Sequence, residues 1–250
     1  QFMPQYPMPN ITTQLPVEAI LPELENALKQ HGTAVLQAPP GSGKTTRVPL
    51  TLLNNGWLKN QRILMLEPRR LAATNAARYM SSLIKETVGE TVGYAIRYER
   101  KISKKTRLEV MTEGLLIRRL QSDPELKGVG LVIFDEFHER SLQADLALAL
   151  CRDVQQGLRE DLRILVMSAT LDAEPLAELL GNCPIVSAAG RSYPVTIEHL
   201  VEANRHKIAE ATAQGVRHAL KECTGDILAF MPGTGEIRRC REQLADLSAE

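Results

Sequence analysis

The ten residues QAPPGSGKTT, Gln37–Thr46, constrain the fold more than any other stretch of this 250-residue chain. They place two glycines, a lysine and two threonines directly after the apolar run Thr33–Leu36. Glycines let successive backbone N–H groups turn inward onto an anion, and a helix that begins at the lysine adds the positive end of its dipole. A buried strand, a phosphate-binding loop (P-loop) and a helix are therefore predicted in that order.

The loop departs from the P-loop pattern at one position, because Ala38 stands where the pattern has its first glycine. Lys44 is predicted to reach the β- and γ-phosphates of ATP, and the Thr45 hydroxyl to bind Mg²⁺. The predicted nucleotide-binding residues are Pro40, Gly41, Ser42, Gly43, Lys44, Thr45 and Thr46. The alternative is a glycine-rich turn with an exposed lysine, which the flanking strand and helix disfavour.

Short apolar runs alternate with helical patterns along most of the chain. Leu131–Phe134 and Ile164–Met167 are apolar throughout, which is typical of parallel strands covered by helices on both faces. The predicted fold class is therefore α/β, with a mostly parallel sheet flanked by helices. Further strands are predicted at Thr33–Gln37, Arg62–Leu66, Thr91–Ile96, Leu108–Met111 and Pro184–Ser187.

The stretch AAGRSYPV, with Gly190 and Pro194, indicates a domain boundary because its small residues and proline interrupt regular structure. Residues 15–190 are predicted to form one domain. Residues 191–250 are predicted to begin a second α/β domain, with strands at VTIEHLV and DILAFM. Residues 1–14 are rich in proline and glutamine and are expected to be a flexible leader.

The run LVIFDEFHER places two carboxylates where a buried strand ends. Asp135 is predicted to complete the Mg²⁺ site, and Glu136 to orient and deprotonate the attacking water. The alternative is an acidic helix N-cap. His138 is either an ordinary polar residue or a sensor of the γ-phosphate side of the site.

Other polar residues follow further predicted strands. Arg69 and Arg70 in LEPRRLAA are predicted to clamp backbone phosphates, the alternative being a solvated charge pair. Thr112 in MTEGLL is either a phosphate contact or an N-cap. In MSAT, Ser168 and Thr170 point two hydroxyls at the same edge or cap the next helix.

Composition excludes little about the partners of the chain. Thirty basic residues balance thirty acidic ones, although nucleic-acid binding needs only a local basic track. No apolar run approaches the length of a membrane span, and no signal peptide is evident, so a cytoplasmic protein without a membrane partner is predicted. The four cysteines lack CxxC spacing and are expected to be free thiols.

Five motifs in chain order, APPGSGKT, EPRR, TEG, DEFH and SAT, resemble motifs I, Ia, Ib, II and III of superfamily 2 helicases. The run DEFHERSLQADLALAL, with LPV and LEPRRLAA, resembles the bacterial branch of the DEAH-box/RHA group. FMPGTGEI is similar to motif IV at the start of a second RecA-like domain. The resemblance implies a RecA-like P-loop NTPase domain followed by part of a second one. It also implies an ATP-dependent RNA helicase, or RNA-stimulated ATPase, that uses ATP and Mg²⁺ and binds single-stranded RNA.

The resemblance also implies roles for individual residues. The residues implied in catalysis are Lys44, Asp135, Glu136 and His138. Hydrolysis is coupled to domain movement by Ser168, Ala169 and Thr170. The nucleic-acid backbone is contacted by Arg69, Arg70 and Thr112. Asp135 and Thr45 hold the metal, and Arg78 packs on the adenine. Single-stranded DNA remains an alternative ligand.

Two departures from the family pattern qualify these expectations. Phe137 occupies the position that is alanine in the DEAH pattern, and motifs V and VI, which carry arginine fingers, are not found in the 250 residues. An arginine finger contributes about 10³–10⁵ in rate, so these residues alone are expected to bind Mg·ATP weakly and to hydrolyse it slowly. Two rival interpretations remain: a P-loop ATPase that remodels protein partners without nucleic acid, and a non-catalytic scaffold.

Overall fold

The structure is a computed structural model that describes residues 15–169, 173–189, 194–199 and 207–249. Its contacts divide the chain into two units, residues 1–191 and 192–250. The predicted leader and Thr170 lie outside the described residues. Within the described ranges, no helix is both long enough and apolar enough to cross a membrane.

The first unit is built on one sheet. Its strands are β1 Thr33–Gln37, β2 Arg62–Glu67, β3 Val92–Ile96, β4 Glu99–Lys101, β5 Leu108–Thr112, β6 Val129–Phe134, β7 Arg163–Ser168 and β8 Ile185–Ser187. They form an eight-stranded sheet in the order β4-β3-β5-β2-β6-β7-β1-β8. Only the β3–β4 pair is antiparallel. The predicted α/β class with a mostly parallel sheet is confirmed.

Helices cover both faces of this sheet. They are α1 Leu21–His31, α2 Lys44–Leu52, α3 Arg70–Leu83, α4 Glu113–Ser122, α5 Leu142–Gly157 and α6 Ala173–Leu179. In β6, Leu131 and Ile133 belong to the core formed with α1–α3, whereas Val132 and Phe134 belong to the core formed with α4–α6. The strand is buried on both faces, which explains why its sequence is apolar without alternation.

The strand order creates a crevice at the carboxyl edge of the sheet. Strands β1 and β2 are consecutive in the chain but are not neighbours in the sheet, because β6 and β7 lie between them. Ligands of open α/β sheets bind outside the carboxyl ends of the strands, where the order reverses in this way. The ends of β5, β2, β6, β7 and β1 lie side by side there, and each is followed by one of the five sequence motifs.

Strand β4 was not predicted from the sequence. Its residues Glu99–Lys101 are charged and exposed, so they lack the apolar pattern on which strand prediction depends. The strand is short and lies at the edge of the sheet, where charged side chains discourage pairing with another chain.

The second unit contains helices α7 Ile208–Glu222 and α8 Thr234–Gln243, packed around Ala209, Ala213 and Cys240. The strands predicted in this region were wrong for the described residues, because 194–199 and 226–231 contain no strand. A strand exists only when its N–H and C=O groups pair with a neighbour. Phe230 is 87% exposed, so this run is not packed as a core strand would be.

Candidate active site

The loop between β1 and α2 has the backbone that the P-loop pattern predicts. Gly41 and Gly43 have φ angles of +75° and +91°, in the left-handed region that residues with a Cβ rarely adopt. A methyl group on Gly43 would lie 2.7 Å from Leu15 Cδ1, whereas one on Gly41 would meet no heavy atom within 4 Å. Gly43 is therefore favoured by its conformation and by close packing, because Val17 and Arg47 would each have a carbon 3.3 Å from the added methyl as well.

The short 3₁₀ helix Pro16–Ile20 packs against the loop and the first turns of α2. The Val17 N–H donates a hydrogen bond to the Ser42 carbonyl at 3.2 Å, and the Val17 side chain is fully buried. Glu18 forms an ion pair with Arg47 of α2 at 3.2 Å. The LPV run, which sequence analysis used only as part of the resemblance, is thus a structural support of the loop.

The first turn of α2 is suited to an anion. The helix begins at Lys44 with Gly43 as its N-cap, and no side chain caps it. The first N–H groups of a helix lack the acceptor four residues earlier. Here that of Thr46 donates to the Gly43 carbonyl at 3.2 Å. This leaves the N–H groups of Lys44 and Thr45 for an anion. The Ser42 Oγ is also buried without a hydrogen-bond partner among the described residues. These donors and the helix dipole favour a bound phosphate.

Alanine at position 43 is expected to destabilise the protein by about 2 kcal/mol, because it adds left-handed strain and the contact with Leu15. ATP affinity should fall with it, since a Cβ at this position strains the backbone of the loop and crowds Val17 and Arg47, which support it. Thermal unfolding and ATP titration measure the two effects. Gly41→Ala is the matched control: it carries similar strain but meets no neighbour. Equal losses of stability in the two variants would contradict the packing argument.

A continuous chain of contacts joins three of the sequence motifs. Lys44 Nζ lies 2.9 Å from Glu136 Oε1, and Glu136 Oε2 lies 3.2 Å from His138 Nε2. On its other side, His138 Nδ1 accepts the Ala169 N–H at 3.3 Å. Because Nδ1 accepts a hydrogen bond, a neutral His138 carries its proton on Nε2. The Nε2–H group then donates a hydrogen bond to Glu136 Oε2. The carboxylate is therefore held between the P-loop lysine and a histidine that also contacts SAT.

Asp135 lies fully within the protein at the end of β6. Its Oδ1 accepts the Glu136 N–H at 2.8 Å, while Oδ2 is buried without a hydrogen-bond partner among the described residues. Burial raises the pKa of this carboxyl, the nearby Thr45 hydroxyl lowers it, and the charge of Glu136 raises it again. A buried carboxylate oxygen with no partner is suited to a cation.

The donors at this position fit Mg²⁺ in particular. Mg²⁺ usually takes one or two protein oxygen ligands and completes its shell with phosphates and water. The side chains of Asp135 and Thr45 offer oxygens of this kind, and they lie close enough to each other to hydrogen-bond. In the part of the chain that the structure describes, no group of three His, Cys, Asp or Glu residues could hold a metal alone.

Glu67 is part of the site, although sequence analysis did not identify it. It ends β2 beside β6 and is only 3% exposed. Burial, and then the negative charges of Asp135 and Glu136, raise the pKa of Glu67 to about 9. The neutral form of Glu67 is therefore favoured, and its side chain is hydrogen-bonded with that of Asp135. An acidic residue that ends the otherwise apolar run ILML was the available signal.

The predicted nucleic-acid residues lie together at the same edge. Thr112 ends β5 directly opposite Glu67, and Arg69 and Arg70 follow the end of β2. Thr112 stands at the N-cap position of α4, but its side chain makes no capping hydrogen bond. Both arginines are exposed: Arg70 donates to the Arg97 carbonyl at 3.1 Å, and Arg69 pairs with Glu139.

The remaining predicted residues are placed as follows. Ser168 ends β7, is buried, and accepts the Ala38 N–H at its carbonyl at 2.9 Å, so SAT is joined directly to the start of the P-loop. Arg78 lies on α3 beside Tyr94 of β3, and four strands separate β3 from β1. Helix α3 itself packs against α2, the helix that follows the phosphate loop, and the contact of Arg78 with adenine stays a prediction.

Comparison with known proteins agrees with this geometry. Residues 19–179 match the family model "DEAD/DEAH box helicase". The chain is 52% identical over 233 residues to the "ATP-dependent RNA helicase HrpB" of Escherichia coli K12, covering 93% of this chain and 29% of that protein. It is 35% identical over 240 residues to the "ATP-dependent RNA helicase HrpA" of Borreliella burgdorferi, covering 95% of this chain and 29% of that protein.

The fold is also similar to that of a solved helicase structure. The crystal structure of the E. coli DEAH/RHA helicase HrpB matches with a TM-score of 0.83 and 51% identity, covering 93% of this chain and 30% of that one. The chain thus spans less than a third of the length of the relatives it matches. The family model covers well over half of the 250 residues. The chain belongs to the DEAD/DEAH box helicase family.

Proposed function

We propose that the chain is the nucleotide-binding part of an ATP-dependent RNA helicase, which couples hydrolysis of Mg·ATP to movement on single-stranded RNA. The observation that carries this proposal is the chain of contacts from Lys44 through Glu136 and His138 to Ala169. It joins the phosphate loop, the carboxylate pair and the SAT motif, as an ATPase that transmits the state of its nucleotide requires. Residues 15–190 form the first RecA-like domain in this proposal, and 191–250 begin the second.

The chemistry assigned to each residue follows from its position. Lys44 and the N–H groups of the P-loop bind the phosphates, and Asp135 with Thr45 would hold Mg²⁺, which neutralises charge on the phosphoryl group. Glu136 accepts the proton of the attacking water. In the present arrangement Glu136 is bound to Lys44, so a phosphate that binds Lys44 also releases the base for its function.

Coupling and nucleic-acid binding are assigned to the neighbouring strand ends. His138, Ser168, Ala169 and Thr170 transmit the state of the nucleotide. Arg69, Arg70 and Thr112 contact the phosphate backbone, which gives little sequence preference. The matched relatives are named as RNA helicases, which favours RNA over DNA as the ligand. We further propose that the protein acts in the cytoplasm.

Steady-state ATP hydrolysis by the intact protein, with and without single-stranded RNA, tests this function. We expect RNA to stimulate turnover, and Glu136→Gln to remove both the basal and the stimulated rate. Single-stranded DNA is measured beside RNA at one fixed salt concentration, because binding to phosphates depends steeply on salt. Turnover that responds to neither nucleic acid would remove the helicase and favour an ATPase that acts on protein partners. No turnover at all would favour the scaffold.

A further inference from the structure

The segment Phe137–Ser141, which we call the post-DE turn, receives contacts from both predicted nucleic-acid elements. Arg69 Nη2 lies 3.0 Å from each carboxylate oxygen of Glu139. The Ser141 hydroxyl donates to Glu113, the residue after Thr112, at 2.6 Å. The two elements that are proposed to bind RNA are therefore tied to the turn that begins directly after Glu136.

The backbone at both ends of this turn is held in a conformation that non-glycine residues disfavour. Glu136 has a φ angle of +49° and Arg140 one of +45°, on either side of the 3₁₀ helix Phe137–Glu139. Left-handed conformations of this kind persist only where surrounding contacts hold them. Because Glu139 ends that 3₁₀ helix, its contact with Arg69 is one of those that fix the turn.

We propose that Glu139 is a positioning residue that competes with an RNA phosphate for Arg69. Without RNA, the ion pair fixes the post-DE turn, and with it the arrangement of Glu136 between Lys44 and His138. When a phosphate takes Arg69, Glu139 is released, and the turn can move so that Glu136 reaches the attacking water. This inference rests on the proposed role of Arg69 in nucleic-acid binding.

The ion pair between Arg69 and Glu139 is weak enough for an RNA phosphate to replace the carboxylate. The Arg69 side chain is 72% exposed and that of Glu139 is 36% exposed, so a ligand can reach the pair from solvent. Exposed ion pairs are weak, whereas guanidinium groups bind phosphate by strong charge-assisted hydrogen bonds. A phosphate can therefore replace the carboxylate without a large energetic penalty.

A second ion pair of the turn provides a matched control. Arg140 Nη2 lies 2.9 Å from Asp145 Oδ2, and the Arg140 guanidinium stands over the Phe137 ring. Asp145→Asn removes one exposed carboxylate and one arginine pair near the turn, as Glu139→Gln does, but leaves Arg69 and Glu139 together. Any effect of net charge alone appears in both variants.

The test uses the intact protein with Glu139→Gln, Asp145→Asn, Arg69→Gln and the double variant Arg69→Gln/Glu139→Gln. Fluorescence anisotropy with a labelled single-stranded RNA gives the affinity, and ATP hydrolysis with and without RNA gives kcat and KM. We expect Glu139→Gln to bind RNA about two- to fivefold more tightly, the range of an exposed ion pair. Its RNA-free kcat should rise, so the stimulation ratio falls, and its KM for ATP should not increase, because Glu136 is held less firmly against Lys44.

Two comparisons separate this role from a structural one. Asp145→Asn should bind RNA as the wild type does, because Arg69 stays paired with Glu139, and adding Glu139→Gln to Arg69→Gln should change neither RNA affinity nor RNA-free kcat. The exchanged pair Arg69→Glu/Glu139→Arg should restore the low RNA-free kcat, because it restores the restraint on the turn. A Glu139→Gln variant that matches Asp145→Asn in RNA affinity, or that acts equally without Arg69, overturns the inference. Wild-type protein that neither binds RNA nor responds to it overturns the proposed function as well.

Discussion

Replacing Glu136 with glutamine is expected to lower the turnover number for ATP by about 10²–10⁴-fold, the contribution of a positioned general base. Glutamine has nearly the same shape but cannot take a proton from water. The His138 ring that contacts Glu136 would remain hydrogen-bonded to Ala169, so the surrounding arrangement should be retained.

The same substitution should leave ATP bound at least as tightly as in the wild type. Lys44 Nζ lies 2.9 Å from Glu136 Oε1, and the Lys44 side chain is only 5% exposed. An incoming phosphate must displace this carboxylate from the lysine, and a neutral amide competes less well than a charged group. We expect a gain of about two- to tenfold in affinity, equivalent to about 0.4–1.4 kcal/mol.

Steady-state kinetics and titration with a fluorescent ATP analogue measure these two quantities separately. Glu23→Gln, at an exposed position on α1, is the control for a change of charge alone. Turnover within a few-fold of the wild type would remove Glu136 from the role of base. Weaker nucleotide binding by Glu136→Gln would contradict the competition for Lys44, even if turnover were lost.

The motifs could be found from the sequence because each is local. The loop before Lys44 and the carboxylates Asp135 and Glu136 each follow a buried strand within a few residues. Parallel strands place their carboxyl ends at one edge, so a common site follows without knowledge of the strand order. This is why the residues that contact one another in the structure were predicted to act together.

Other parts of the site depend on which strands are neighbours in the sheet. The order of the strands along the chain does not reveal which of them are neighbours. Glu67 is buried beside Asp135 because β2 lies next to β6, although β3, β4 and β5 come between them in sequence. The Arg69–Glu139 pair has the same origin. The contact of Arg78 on α3 with Tyr94 of β3 also depends on which strand the helix covers, and the predicted contact of Arg78 with adenine stays a prediction.

Replacing Asp135 with asparagine is expected to stabilise the metal-free protein while lowering ATP turnover at least about 100-fold, because the proposed protein ligand of Mg²⁺ is lost. The carboxylate is fully buried, and its Oδ2 has no hydrogen-bond partner among the described residues. A neutral amide avoids the cost of burying that charge. At pH 8 the gain in the free energy of unfolding should be about 1–3 kcal/mol.

The pH dependence of this gain has a definite sign. Burial raises the pKa of Asp135 from 3.8 to about 6, so the folded state binds a proton more readily than the unfolded state. The loss of folding stability caused by burying this charge is therefore absent below about pH 4, grows between pH 4 and 6, and is complete above that range. The difference in stability between Asp135→Asn and wild type should follow the same course in urea unfolding with a chelator present.

Glu67→Gln separates the charge effect from the loss of a metal ligand. The folded-state pKa of Glu67 is raised to about 9, so its glutamine variant should gain stability progressively from about pH 4.5 to pH 9 and keep most of its turnover. Mg²⁺ and ATP together should then stabilise the wild type and Glu67→Gln, but not Asp135→Asn. If Asp135→Asn is less stable than wild type at pH 8 without metal, the buried carboxylate is held by contacts that outweigh its desolvation, and its free oxygen no longer argues for a cation.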